Sequence, residues 1–467
     1  DWQVTQPAGR SVTGHPERDP AGWRFWAVAY AIAAVLAAAN LPTPLYPHYQ
    51  HVDHLSTATL TVVFVAYVVT VAATLSVAGQ ASDLFGRRAV LVPALGFAIL
   101  SAACFATSGA LGWLVAGRVA SGIASGAVTA AGPAALADLE PSGDVERAST
   151  VASAAVVSGL AIGPMVSGLF VRYAPLPDHL VYLAFVVILT AGLAGVAALP
   201  RQPAPVGGVP TMSRSAVART RSVGARLARL RRPSVPTGIR PLFVRTAAAF
   251  STGWVGTAMF FALGPTFADL VLHTTDPLVG AAIVFDAFVM SGSAQLLSRR
   301  WPNGPAMRWG LVLFAVGMAL LPVALSQRQP LLLALGAAAA GAGQGLTHRA
   351  SQATLLHAAP PAARGQTAAA FYLVGYLVIA VVLVSLGFLI DATGPLAGLT
   401  AFSALTLSAA VVAVVLLREV AGRPEGARRR PVSDSTGYGE TAIRPPAGRR
   451  RRGSDPSRRT GPTRRRR

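Results

Sequence analysis

A chain of 467 residues with 53% apolar and only 13% charged side chains, and a mean hydropathy of +0.51, lacks the polar surface of ordinary water-soluble domains and excludes that class. The net charge of +21 would suit a nucleic-acid binder, but its arginines gather in Pro200 to Arg240 and in the tail after Arg423, both too poor in apolar residues to fold alone. They are read as disordered cytoplasmic segments lying near anionic lipid headgroups, and no nucleic-acid partner is expected.

The remainder alternates apolar runs of bilayer-spanning length, about 18 to 25 residues, with short polar stretches. A helix satisfies its own backbone hydrogen bonds in lipid, so each run is a predicted spanning helix. In chain order they are Phe25 to Pro42, Thr59 to Gly79, Ala89 to Thr107, Leu111 to Leu136, Thr150 to Val171, His179 to Leu199, Leu242 to Phe267, Leu278 to Leu297, Met307 to Leu325, Leu331 to Leu346, Thr367 to Ile390 and Leu396 to Leu417. The first run follows a polar lead and continues into a full span, which does not fit a cleavable signal peptide. Met is absent at position 1, so the chain is expected to lack a few native residues. The expected organisation is a cytoplasmic segment 1–24, a six-helix bundle 25–199, a basic cytoplasmic linker 200–241, a second bundle 242–417 and an Arg-rich cytoplasmic tail 418–467. The sole cysteine, Cys104, sits in the third span and excludes a disulfide within the chain.

Arginine carries the whole orientation signal, because the chain has no lysine. One set of alternate loops holds Arg87, Arg88, Arg147, the run from Arg201 to Arg245, Arg299, Arg300, Arg308, Arg349 and Arg364; the other holds Arg172 and Arg328. Juxtamembrane cations stay on the cytoplasmic side, so an even number of spans places both termini there. An internal repeat supports the division into halves. Gly117, Gly122 and Gly126 recur 219 positions later as Gly336, Gly341 and Gly345, and Gly168 recurs as Gly387. Small residues at this spacing form a strip where a neighbouring backbone can approach.

Between the second and third spans runs Gly79-Gln-Ala-Ser-Asp83-Leu-Phe-Gly86-Arg87-Arg88. This segment resembles the signature of the major facilitator superfamily between helices 2 and 3, with Leu84 where a basic residue is common. Gly79 is expected to allow close helix approach, Gly86 a tight turn, and Arg87 with Arg88 an anchor at the headgroups. The resemblance implies that Asp83 caps the eleventh helix near Gln366 and Thr367, holding the halves together until the protein opens inward; a turn with an exposed Asp is the competing reading. Leu114-Val-Ala-Gly-Arg118-Val-Ala-Ser121-Gly122 resembles the family's second motif, an arginine within a span, with Ser121 in place of the usual glutamine. Its repeat counterpart is Ala337, so the fold does not require that cation, and a role in proton coupling or substrate charge stands beside that of an arginine reaching the interface. Gly159-Leu-Ala-Ile-Gly163-Pro164-Met-Val-Ser167-Gly168 resembles the antiporter motif of drug and proton exchangers. Its proline would bend the helix and its glycines would let the bend pack, although a general packing kink remains open. Pro44-Leu-Tyr-Pro47 resembles the ending of the first span in many efflux members.

An exchanger driven by protons needs a group that changes protonation as it faces each side, and a buried carboxylate serves. Asp286 is the acid placed deep within a span, with Tyr67 as repeat partner and an interior position expected for both; a structural, hydrogen-bonding Asp is the competing role. Asn40, Tyr46, Trp254, Phe260, Gln344, Tyr372 and Tyr376 are candidate substrate contacts, since aromatic walls with few polar groups suit amphipathic molecules, although aromatics at the lipid interface are as common. His48, His51 and His54 are read as loop histidines rather than a metal site. No P-loop, zinc helix or nucleophile elbow is present in the sequence, and no cofactor is expected. The implied protein is an all-α transporter of twelve helices in two pseudo-symmetric bundles, a monomer moving a small molecule and exchanging protons by alternating access, not an enzyme. A uniporter or importing permease for a sugar or metabolite in the same fold, and a polytopic membrane enzyme or receptor, remain the alternatives.

Overall fold

The computed structural model describes residues 22–46, 49, 55–107, 110–200, 233–274, 276–360 and 363–421. The expectations for the leading segment, most of the basic linker, the tail and His48, His51 and His54 lie outside these residues. Twelve helices long and apolar enough to cross a membrane follow in chain order. They are α1 (Trp23–Asn40), α2 (Thr57–Phe85), α3 (Arg87–Thr107), α4 (Leu111–Leu139), α5 (Val145–Tyr173), α6 (Pro177–Ala197), α7 (Arg240–Leu272), α8 (Pro277–Leu297), α9 (Asn303–Gln327), α10 (Pro330–Ala358), α11 (Arg364–Thr393) and α12 (Pro395–Ala421). There is no strand among the described residues.

Local chemistry fixes several helix ends. Ser56, Asp144 and Asp276 each accept a backbone N–H of the first turn they precede, at 3.1, 3.0 and 3.0 Å. Pro177, Pro277 and Pro330 occupy first helical positions, where the missing N–H has no partner to lose. Gly86 at φ 94° ends α2 and lets α3 begin at the next residue, the tight turn its sequence position suggested. The predicted tenth span stops at Leu346, whereas α10 continues for three more turns to Ala358. The polar residues there resemble a loop in sequence; in the fold Thr347, His348 and Gln352 face other helices.

The spans form two halves of six. Within the first, α4 packs on α2 and α3; within the second, α10 packs on α8 and α9. The glycine repeat explains the correspondence. A Cβ at Gly117 would meet Phe105 of α3, and one at Gly336 would meet the Gly317 carbonyl of α9. Gly122 and Gly126 lie against the carbonyls of Tyr67 and Val71 in α2, and Gly341 and Gly345 against those of Ala287 and Ser291 in α8. Four backbone approaches thus repeat with the halves, as close small-residue packing requires. They also correct the register: the α2 and α8 carbonyls differ by 220 positions rather than 219, so Tyr67 corresponds to Ala287 and Asp286 to Ala66. The halves meet where α2 runs along α11 and α5 along α8. Phe64, Tyr67, Val71 and Leu75 of α2 join the apolar core of the second half along this seam.

Candidate substrate path and coupling site

One face of the bundle carries the α2–α3 turn and most of the loop arginines, and is called here the arginine face. Arg87 donates to Asp83, to Ser82 at 2.7 Å and to Asp138 at the end of α4 at 3.1 Å. Arg88 donates to the Leu199 carbonyl at 2.7 Å. With Pro93, Ala135 and Leu139 these two arginines line a cavity of about 530 Å³. Two expectations fail here. Gly79 faces open space rather than a neighbouring helix, and the Asp83 side chain, 68% exposed, pairs with Arg87 instead of capping α11. The residue before α11 is Ala363, without a side-chain cap, and Thr367 Oγ1 is enclosed without a partner. The guanidinium one helical turn from Asp83 is simply the nearer positive charge. Between α4 and α5, Glu140 accepts from Arg147 at 2.9 Å, the Ser142 hydroxyl at 2.8 Å and the Asp144 N–H at 2.7 Å. Desolvation pushes its carboxyl up, but the Asp144 N–H, the Ser142 donors and the Arg147 charge outweigh it and hold the group below its ordinary range.

In α5 the glycine and proline residues serve two contacts. A Cβ at Gly159 would stand 2.5 Å from the Ala33 carbonyl, and one at Gly163, beside the buried Pro164, would collide with the Ala37 carbonyl of α1. Gly168, one turn on, faces α8, where a Cβ would lie 3.0 Å from that of Ala281. The seam ends in an ion pair between Arg172 and Asp276, the same Asp276 that caps α8. The stretch therefore fastens α5 to its own half at one level and to the other half nearer the opposite face.

Arg118 of α4 is fully buried. Its Nη1 donates to the Ala39 carbonyl at 2.7 Å and its Nη2 to the Tyr46 hydroxyl. The rings of Tyr46, Phe105, Tyr67 and Phe64 surround the guanidinium with centroids 5.3, 5.6, 5.7 and 5.8 Å away. An arginine within a span costs about 2.5–3.5 kcal/mol on insertion scales. Hydrogen bonds to a charged group, about 1.5–3 kcal/mol each, and cation–π contacts offset that cost. No carboxylate pairs with Arg118 among the described residues, and its Nε has no acceptor. The side chain does not reach the interface, so the alternative of a snorkelling arginine is excluded in this conformation.

A second cluster lies in the other half, nearer the arginine face. Phe250 stacks on Phe371 at 4.3 Å, Trp254 meets Tyr376 edge-on at 5.1 Å, and His348 packs against both Phe250 and Trp254. The Tyr372 hydroxyl accepts from Gln352 at 2.8 Å and lies 3.2 Å from His348 Nε2. Trp254 Nε1 is enclosed without an acceptor. Trp254, Tyr372 and Tyr376, three of the candidate substrate contacts, are brought together here. Phe250, His348, Gln352 and Phe371 were missed; His348 and Gln352, one turn apart, fall beyond the predicted end of the tenth span. Tyr67 links the two sites, since it touches Arg118 and shares an apolar core with Trp254 and Tyr376.

The other expected contacts are structural here. Phe260 is fully buried in packing against Phe267, Asn40 is buried and donates to the Leu36 carbonyl of its own helix, and Gln344 is buried as the acceptor for Ser291. Asp286 is half-buried on α8. It shares a stripe with the more exposed Ala282 and Met290, each one turn away, whereas Val284, Ala287 and Ser291 are buried in the bundle. One of its oxygens, Oδ2, is enclosed and unpartnered.

Comparison with known proteins places these sites in context. The family model described as Major Facilitator Superfamily matches residues 27–382. A candidate multidrug resistance protein, MdtD, of Cronobacter sakazakii is 28% identical over 176 residues, which is 38% of this chain and 36% of that protein. The match thus spans about a third of that relative's length. Among solved structures, a D-xylose-proton symporter superposes with a TM-score of 0.66 at 15% identity, covering 85% of this chain and 96% of the other. A POT family transporter in complex with 5-aminolevulinic acid gives 0.63 at 13% identity, covering 86% and 96%. At these identities the likeness concerns the fold alone.

Proposed function

From the premise that the chain belongs to the major facilitator superfamily, we propose that it exports a small amphipathic molecule in exchange for protons, by alternating access across a bacterial-type cytoplasmic membrane. The arginine face and both termini are assigned to the cytoplasm, because arginines beside spans are retained there. Export is favoured by the α5 glycine-proline stretch, by Pro44 after α1 and by the similarity to a candidate multidrug resistance protein.

The observation that carries the reading is Arg118: a buried charge without a counter-ion, present in one half only and replaced by Ala337 in the repeat. Its guanidinium keeps its proton throughout, so its part is electrostatic. A fixed positive charge disfavours a second one nearby and attracts an anionic group, so its field bears on how substrate binds. Asp286 is the carboxyl proposed to take up the proton, since its enclosed oxygen lacks a partner. A second reading puts the proton on His348, which lies within the aromatic cluster. One charge moving through 100 mV is worth about 2.3 kcal/mol, enough to sustain an outward gradient.

The conformation supports an opening towards the cytoplasm. Gly168 against α8 and the Arg172–Asp276 pair close the opposite face, while Asp83 is disengaged from α11. The test is flux in proteoliposomes of a compound to which expressing cells become resistant, under an imposed pH gradient. Asp286→Asn is expected to abolish the response to the gradient while leaving exchange of substrate for substrate; the same result in His348→Gln instead moves the proton to the second site. Flux that ignores the gradient in the unmodified protein contradicts antiport.

A further inference from the structure

Arg118 Nε and Trp254 Nε1 are groups of one kind. Both are donors with no capacity to accept, both are enclosed, and neither finds an acceptor among the described residues. A buried donor left unsatisfied is costly, so such groups fit a ligand that brings acceptor atoms. They stand in different halves, joined by Tyr67 and Tyr376, which pack in one apolar core.

The charges in contact with this row are positive. Arg118 has no carboxylate partner, α1 contains no acid from Trp23 to Asn40, and Asp286 forms no ion pair among the described residues. His348 in the aromatic cluster can only add positive charge when it takes up a proton. In a low-dielectric interior an uncompensated cation acts well beyond contact distance. The walls between these groups are rings: Phe250, Trp254, Phe371, Tyr372 and Tyr376 on one side, Phe64 and Tyr67 on the other. Flat apolar faces of this kind favour an aromatic body.

We infer that the path between Arg118 and Trp254 selects aromatic molecules carrying a carboxylate or similar anionic, acceptor-rich group and rejects aromatic cations. The inference rests on the transport reading of this site, and it specifies the substrate class. Trp254 Nε1 supplies a hydrogen bond to the acceptor group, and Arg118 supplies the charge that sets the sign.

The matched probes are 1-naphthoate and 1-naphthylmethylammonium, which share a ring and differ in charge. Equilibrium binding of each is measured to the full chain in lipid nanodiscs at neutral pH, with no gradient imposed. The naphthoate is expected to bind about tenfold more tightly or better, as a charge acting through a partly screened interior requires. Trp254→Phe is expected to weaken naphthoate by about fivefold, the loss of one hydrogen bond, and to leave the amine unchanged. Arg118→Met, checked for a monodisperse gel-filtration profile, is expected to erase the preference. Equal or tighter binding of the amine, binding of neither probe, or an unchanged preference in folded Arg118→Met would overturn the inference. Because no gradient is applied, a failure of proton coupling leaves this selectivity intact, whereas a failure of the selectivity leaves gradient-driven flux of other compounds intact.

Discussion

Arg118 donates to the hydroxyl of Tyr46, so a charge in α4 is held by the chain segment just beyond α1. The two residues are 72 positions apart in sequence, and the bond makes the position of α1 depend on a cation in the middle of its own half. Removing either partner separates stability from function. Tyr46→Phe leaves a buried charged donor unpaired and is expected to cost about 1.5–3 kcal/mol, read as a lower midpoint of thermal unfolding in detergent. Arg118→Met removes the charge itself, and replacing a buried ion by an apolar side chain of similar length is often neutral or stabilising. Its unfolding midpoint should hold or rise while transport is lost; loss of both together would make Arg118 a structural residue only.

The glycines of α5 give a prediction with an internal control. Gly163→Ala puts a methyl group against the Ala37 backbone, which cannot move aside as a side chain can, and overpacking of this kind costs about 1–3 kcal/mol. Gly79→Ala, also in a helix, meets open space and should stabilise by up to about 1 kcal/mol. Thermal unfolding of the two variants side by side checks the contrast; equal effects would mean that α1 and α5 do not touch as described.

Arg172 and Asp276 close the face opposite the arginines. The pair is partly exposed, so its coupling should be about 0.2–1 kcal/mol, small for stability yet large for a gate whose two states differ by little. Asp276→Asn keeps a side-chain oxygen for the α8 N–H and removes only the charge. It is expected to raise the labelling rate of a cysteine placed at Ala281, and the swap of Arg172→Asp with Asp276→Arg should bring the rate part of the way back. No change in labelling for Asp276→Asn would remove the pair from the gate.

Glu140 predicts a pH dependence. Its folded-state pKa lies below the ordinary carboxylate value, so the stability it contributes is fully present above the unfolded value and is lost as pH falls through the folded one. Glu140→Gln should therefore be less stable than the unmodified protein at neutral pH, and the two should converge as pH drops below about 4. A difference that persists or grows in acid would refute the assignment.

Much of the fold was legible because bilayer thickness imposes a length on apolar runs, and because Gly122 with Gly126 and Gly341 with Gly345 had to repeat wherever helices approach closely. Gly86 announced its turn, since glycine has few other uses at such a position, whereas the burial of Arg118 was settled only by the fold, a reach to the interface having been equally open to its long side chain. Asp83 misled because a sequence does not show whether Arg87 or the end of α11 is the nearer positive charge. For Asp286 the helical phase is hard to read, because every side of the span is apolar and the stripe holding Ala282 and Met290 differs from the buried one only in the fold. His348 was hidden by its neighbours Thr347, Arg349 and Gln352, which look like a loop; in the fold Thr347 meets Gly310 of α9, Arg349 donates to Ser298 after α8, and Gln352 donates to Tyr372 of α11.

Whether Arg118 works for proton-driven export is open to one direct measurement, whatever the substrate is. A panel of toxic compounds is applied to cells bearing the unmodified protein, Arg118→Met or neither, with and without a protonophore. The expected outcome is resistance to at least one compound with the unmodified protein, abolished by the protonophore and absent in Arg118→Met present at an equal level in the membrane. Resistance that survives collapse of the proton gradient, or that survives in Arg118→Met, would contradict it.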